Sequence, residues 1–205
     1  MPDSRSEILG KLSPGGASDA DLPAIIQPGF AADSDSGMEL FKLKLEAVQA
    51  SVDILDGMHG VGDSIAAFLR AQGCPLEVGL VPASASSSLP ETPGLHYYDC
   101  SEFSDCTSVL THAALGIAET GTLVLPSSVQ RPTLANFLPD NCIILLEESC
   151  IVACMEEALL RIQQGVEGMP RALNLISGPS KTADIEQTLA YGAHGPIQLH
   201  VIVIR

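Results

Sequence analysis

Three short stretches of this chain carry the residue types that do chemistry. The first, Ala118-Glu119-Thr120-Gly121-Thr122, sets a carboxylate and two hydroxyls around a glycine just ahead of an apolar run. Glycine permits a close turn, and Thr120 and Thr122 can donate to an oxyanion or cap an exposed amide. A carboxylate held in a partly desolvated turn serves as a base or as a covalent nucleophile, so Glu119 is a candidate for either role. The same five residues also describe a tight turn with a solvated Glu119, and spacing does not choose between the two.

The second stretch is Ser177-Gly178-Pro179-Ser180-Lys181-Thr182-Ala183-Asp184-Ile185-Glu186, which reads as a strand end, a Gly-Pro turn and the start of a helix. Such a loop aims backbone N–H groups and hydroxyls at one point, in the manner of an anion cradle. Asp184 and Glu186 would fall in the first helical turn, where they compensate the dipole and repel a phosphate. Sugar hydroxyls or amines suit them better, and capping of the helix accounts for Thr182 and the two acids equally well. The order Gly-x-x-x-x-Gly-Lys-Ser/Thr is absent, which excludes a Walker-type nucleotide site. The third stretch, Tyr191-Gly192-Ala193-His194-Gly195-Pro196, places His194 between flexible residues after a predicted helix end, either facing a ligand or simply exposed. His200 alternates with Leu199 and Val201 and reads as a structural residue of a strand. His59, His96 and His112 show no ligand spacing, and no Gly-x-Ser-x-Gly elbow is present.

The six cysteines, Cys74, Cys100, Cys106, Cys142, Cys150 and Cys154, contain no Cys-x-x-Cys pair and no zinc-finger partner, so neither a metal site nor an iron–sulfur cluster is expected on this chain. Cys150 and Cys154 read as reduced thiols acting as small hydrophobes.

The elements that must position these residues follow from apolar periodicity. Ser4 to Leu12 has a capping-box start, and residues 14 to 38, rich in Pro, Gly, Ser and Asp, read as a linker. Leu40, Phe41, Leu45, Val48, Val52 and Leu55 recur at three- and four-residue steps, which predicts one amphipathic helix over Gly37 to Leu55. A second helix is predicted over Gly60 to Ala71, a third over Val152 to Gln163 and a fourth over Thr182 to Tyr191. Strands are predicted at Leu76–Val81, Leu95–Tyr98, Thr122–Leu125, Asn141–Leu146, Ala172–Ser177 and Leu199–Ile204, with a Ser/Pro-rich loop over Pro82–Pro93. Alternation of strands and helices predicts an α/β domain, a mostly parallel sheet flanked by helices. The expected layout is an N-terminal arm and flexible linker over 1–36 and a single domain over 37–205.

Of the 205 residues 46% are hydrophobic and 17% charged, enough to build a core. A formal charge of −15 has the wrong sign for nucleic acid or an anionic membrane surface. The most hydrophobic stretch, Ile143 to Leu160, is broken by Glu147, Glu148, Glu156 and Glu157, so no bilayer span is expected. Without an apolar run of signal-peptide length in Met1 to Ser13, the expected location is the cytoplasm.

Together, Ile117 to Leu125, Ser177 to Glu186 and Gly192 to Pro196 resemble the LUD-domain family, and the resemblance extends over about Asp99 to Arg205. It implies a fold like that of the sugar-isomerase, CoA-transferase and 5-formyltetrahydrofolate cyclo-ligase superfamily. It also implies a part in oxidising L-lactate to pyruvate beside iron–sulfur partner proteins, with the clusters on the partners. The segment Pro126 to Pro132 has no role that the family explains. The expected site is a pocket at the carboxyl ends of the strands that binds a small carboxylate or cofactor fragment. Glu119 and His194 would be its polar handles, and Thr120, Gly121, Thr122, Ser177, Gly178, Pro179, Ser180, Thr182, Asp184, Glu186 and Gly195 its lining. Two other readings stay open. Glu119-Thr120-Gly121 resembles the Glu-Asn-Gly of CoA transferases, which would make the chain an autonomous acyl transferase or ligase. A regulatory or scaffolding subunit without chemistry fits the absence of cofactor signatures.

Overall fold

A computed structural model describes residues 34–81, 89–100, 105–129, 131–165, 169–183, 189–191 and 195–205. The helix expected at Ser4–Leu12 and most of the linker lie outside the described residues, as do residues 82–88 of the Ser/Pro-rich loop. Helix α1 (Ser34–Ala47) begins inside the stretch expected as linker and buries Met38, Phe41 and Leu45 along one stripe. It does not run to Leu55. Gln49 takes φ 71°, Ala50 N–H donates back to the Leu45 carbonyl at 3.1 Å, and Ser51–Leu55 emerges as strand β1. Helical spacing at Val48, Val52 and Leu55 was coincidental, because pairing with a distant strand outweighs a local pattern.

After β1, a 3₁₀ turn (Met58–Gly60) leads into α2 (Val61–Ala71), at the expected place. Then come β2 (Glu77–Leu80), β3 (His96–Asp99), β4 (Ser108–His112), β5 (Leu115–Ile117) and β6 (Thr122–Pro126). Between Gln72 and Asn141 the described residues contain no α-helix, so strict strand–helix alternation fails in the middle of the chain. Strand β7 (Asn141–Glu147) follows, then β8 (Ile151–Val152), α3 (Met155–Gln164) and β9 (Leu173–Ile176). The third helix therefore starts three residues later than its apolar pattern indicates, because Ile151 and Val152 pair in parallel with Gly116 and Ile117.

The helix expected over Thr182–Tyr191 is corrected outright. Lys181–Ala183 and Leu189–Tyr191 are strands β10 and β11, an antiparallel pair with Thr182 opposite Ala190. Residues 184–188 lie outside the described residues. Cross-strand pairing has overridden helix-forming composition, so no helix N-terminus at Thr182 is available to cradle an anion or be capped. Strand β12 (Gln198–Ile204) ends the chain.

The main sheet has the order β1-β12-β7-β4-β2-β3, and every neighbouring pair is parallel. Parallel sheets must be covered on both faces, which is why β7 reads as an unbroken apolar run, Cys142 to Leu146. On one face, Cys142, Ile144 and Leu146 with Leu199, Val201 and Val203 meet α1 and β6. On the other, Ile143, Leu145 and Ile202 meet Val61, Ile65 and Leu69 of α2. A four-stranded sheet, β8-β5-β6-β9, lies over the α1 side and is itself covered by α3 through Met155, Ala158 and Ile162. Cys100 and Cys106 form a disulfide, while Cys74, Cys142, Cys150 and Cys154 are free. Among the described residues no helix is long and apolar enough to cross a membrane, and no group of three or more His, Cys, Asp or Glu is arranged to hold a metal ion.

Among the buried polar residues, His200 carries the largest network of side-chain bonds. His200 is only 2% exposed and stacks on Phe68 of α2, ring centroids 4.6 Å apart. Its Nδ1 lies 2.8 Å from Ser51 Oγ and its Nε2 lies 2.9 Å from Ser64 Oγ, while Ser64 Oγ donates to Asp53 Oδ2 at 2.6 Å. The ring is fully satisfied as a neutral imidazole: Ser51 donates to Nδ1, and Nε2–H donates to the Ser64 oxygen, whose proton goes to Asp53. This chain of bonds ties α2 to β1 and β12. Burial pushes the His200 pKa below its ordinary value, with the Asp53 carboxylate and the Ser51 backbone pulling partly back; burial and Arg131 push His112 the same way.

In acid the unfolded chain therefore takes up protons that the folded chain refuses. Stability should be level above about pH 6.5 and fall as the pH drops below it, by at most about 1.4 kcal/mol per pH unit for each histidine. Urea unfolding from pH 8 to pH 5 checks this. His200→Asn should lower stability at pH 8 and flatten the fall, whereas a flat wild-type profile would contradict the assignment.

Candidate functional site

The hairpin turn between β5 and β6 carries Glu119, Thr120 and Gly121, and β9 pairs with β6 so that Ile176 opposes Leu123. That register brings Ser177 beside Thr122 across 55 residues of sequence. Thr120 Oγ1 lies 2.7 Å from Thr122 Oγ1, and Thr122 Oγ1 lies 2.7 Å from Ser177 Oγ. Thr122 is buried in the middle of this chain of hydroxyls, and Thr120 and Ser177 are exposed at its ends. The second and third stretches also meet: Ser180 N–H donates to the Pro196 carbonyl at 2.8 Å, and a Cβ on Gly195 would stand 3.1 Å from Ser180 Cβ.

Glycines set how closely this cluster approaches α1. Gly121 has φ 65°, and a Cβ there would come within 2.6 Å of Lys44 Cβ and 2.9 Å of the Leu45 nitrogen. Gly178 has φ 153°, and its Cβ would meet Val48 Cγ2 at 2.7 Å. Lys44 and Val48 stand where α1 hands over to β1, and Pro196 stands just ahead of β12. The cluster therefore sits toward the amino ends of the parallel strands rather than the carboxyl ends.

Glu119 is half-buried, and its Oε1 accepts the backbone N–H of Met155 at 3.2 Å, the first residue of α3. A carboxylate there satisfies an N–H that the helix leaves unpaired and complements the helix dipole. Pro179 lies in the turn with Gly178, and Thr182 is placed by its backbone on β10. His194, Asp184 and Glu186 lie outside the described residues. The structure thus brings together Thr120, Gly121, Thr122, Ser177 and Gly178, and separately Ser180 with Gly195. Lys44 and Val48 were not foreseen; apolar spacing marked Val48 as a core position, and nothing local marked Lys44.

At the opposite end, where open α/β sheets bind ligands, lies a cavity of about 300 Å³ whose lining includes His112, Leu146, Glu147 and Cys150. None of the three stretches contributes to that lining.

The LUD domain family matches residues 100–204, just over half of the chain. The chain belongs to the LUD-domain family. An uncharacterized protein from Neisseria meningitidis is 41% identical over 102 residues, 50% of this chain and 44% of that one. The Lactate utilization protein C of a Geobacillus species is 32% identical over 138 residues, 62% and 57% of the two chains, and that of Shouchella clausii 38% over 97 residues, 46% and 42%. The match thus spans about half the length of these relatives. A crystal structure of a DUF162 family protein from Deinococcus radiodurans shares the fold, with a TM-score of 0.63 and 23% identity over 85% of this chain and 99% of that one. The LUD domain accordingly takes in the hairpin, the hydroxyl chain and the central strands β4, β7 and β12, and leaves α1, β1 and α2 ahead of it.

A matched pair of substitutions measures the cost of the close approach to α1. Gly73 has φ 67° with nothing within 4 Å of its added Cβ, so Gly73→Ala should cost about 1 kcal/mol from backbone conformation alone. Gly121→Ala should cost a further 1 to 3 kcal/mol, roughly, for overpacking against Lys44 and Leu45. Equal urea midpoints for the two variants would show that the hairpin is not seated on α1.

Proposed function

We propose that this chain is a component of an L-lactate utilisation system, supporting oxidation of L-lactate to pyruvate together with iron–sulfur partner proteins that carry the redox clusters. The observation that supports this reading is the hydroxyl chain Thr120–Thr122–Ser177, in a domain whose relatives include proteins called Lactate utilization protein C. Three hydroxyls share two mutual bonds, so one O–H is left over, and when the two bonds run in the same direction it donates outward from an exposed end. A carboxylate oxygen is the acceptor that profits most, because bonds to charged acceptors are the strong ones. The carboxylate is also the group that lactate and pyruvate have in common.

In this reading Glu119 positions the start of α3 through Met155 instead of attacking a substrate. An acyl-transferase role would fall to Oε2, since Oε1 accepts the Met155 N–H. His194 remains a candidate ligand contact, with Asp184 and Glu186.

The test is growth on L-lactate of a bacterium lacking its own lactate utilization protein C. The unaltered chain should restore growth, and Thr120→Val combined with Ser177→Ala, both at exposed positions, should slow it about tenfold without loss of folded protein. No restoration by the unaltered chain would contradict the lactate assignment. Full restoration by the double variant would remove the hydroxyls from the function.

A further inference from the structure

The cavity at the carboxyl ends of the main sheet lies at the other end of the strands from the hydroxyl chain, and nothing above gives it a task. At about 300 Å³ it has the size at which small-molecule sites begin. Met58, Leu146 and Ile204 give it apolar walls from three separate elements, and its polar groups are His112, Glu147 and Cys150. His112 closes β4, and its Nδ1 is buried with no hydrogen-bond partner among the described residues. Leaving such an atom unpaired costs about 1 to 3 kcal/mol, and a native fold that tolerates the cost calls for an explanation.

The charges around this imidazole restrict what can bind. Burial first, and the Arg131 guanidinium second, hold the His112 pKa below its ordinary value against the opposing pull of Glu147. The ring is therefore neutral and offers one lone pair as an acceptor. Glu147, exposed at the end of β7, only accepts. Among the described residues no Lys or Arg lines the cavity, and nearby Arg205 is matched by Glu148 at 3.4 Å and Asp56 at 4.0 Å. Two acceptors call for hydrogen-bond donors, and the opposing fields of Arg131 and Glu147 at His112 partly offset each other, so neither sign of charge is strongly selected. A neutral molecule fits this lining, with an apolar body and hydrogen-bond donors along one side. A planar heterocycle supplies both on few atoms.

We propose that this cavity binds an uncharged ring compound of nucleobase size, its faces on Met58, Leu146 and Ile204 and its edge N–H or O–H groups donating to Glu147 and, with the imidazole turned about its Cβ–Cγ bond so that the buried Nδ1 faces the cavity, to His112.

Cys150 supplies the readout, being a free, half-buried thiol in the same lining. The full chain would be alkylated with iodoacetamide in the presence of adenosine, guanosine, nicotinamide or L-lactate, with each cysteine followed by mass mapping. At least one of the three ring compounds should slow alkylation of Cys150 saturably while leaving Cys74 unchanged, and L-lactate should not. Glu147→Gln, on an exposed residue, and His112→Phe should each weaken the protection about tenfold, the first by removing the charge that strengthens its hydrogen bond and the second by removing an acceptor. If His112→Phe does not fold, Glu147→Gln alone decides. Absence of protection by all three rings, protection indifferent to Glu147→Gln, or protection by L-lactate alone would overturn the proposal.

Discussion

The molecule depends on the parallel pairing that seats its last strand between its first strand and β7. Gln198–Ile204 lies in register with Ser51–Leu55 on one side and with Asn141–Glu147 on the other. Val201, Ile202 and Val203 are wholly buried, because α1 and the small sheet cover one face and α2 the other. No local element holds this arrangement; each pairing spans a long stretch of chain, which makes the fold rich in non-local contacts and slow to form. The one polar residue in the strand that reaches the core, His200, is accommodated by the two serines and the aspartate that meet it from β1 and α2.

That pairing also determines where chemistry can sit. Because β1 is tied to β12, the end of α1 is carried to the amino ends of the strands, and Gly121 and Gly178 pack against it. The same pairing brings Met58 and Ile204 to the carboxyl ends beside His112 and Glu147. Two chemically different places result, a chain of hydroxyls with exposed ends at one end of the sheet and an apolar cavity with acceptors at the other. Glu119 belongs to the first place, yet its observed partner is a backbone N–H.

Legibility in the sequence followed the range of the interactions. Helix α2 and strand β7 were readable because an amphipathic stripe and an unbroken apolar run are local signals. Strand β1 was not, since Val48, Val52 and Leu55 fit helical spacing as well as β1 fits its neighbour, and the break is made by backbone at Gln49. The helix expected over Thr182–Tyr191 rests on composition, which says nothing about the cross-strand pairing that prevails there. The three stretches were legible as interesting residues, and the Thr122–Ser177 bond joins the first to the start of the second. Their position relative to the sheet, the seat on Lys44 and Val48, and the meeting of His112, Glu147 and Cys150 each require partners from distant strands.

The most direct test of the central strand is amide hydrogen exchange of the folded chain, read residue by residue. The amides of Leu199 to Val203 should fall in the slowest class together with those of Ile143 to Leu146, exchanging only through global unfolding. Exchange of Leu199–Val203 at the rate of an exposed edge strand, while Ile143–Leu146 stays protected, would contradict the placement of the last strand in the middle of the sheet.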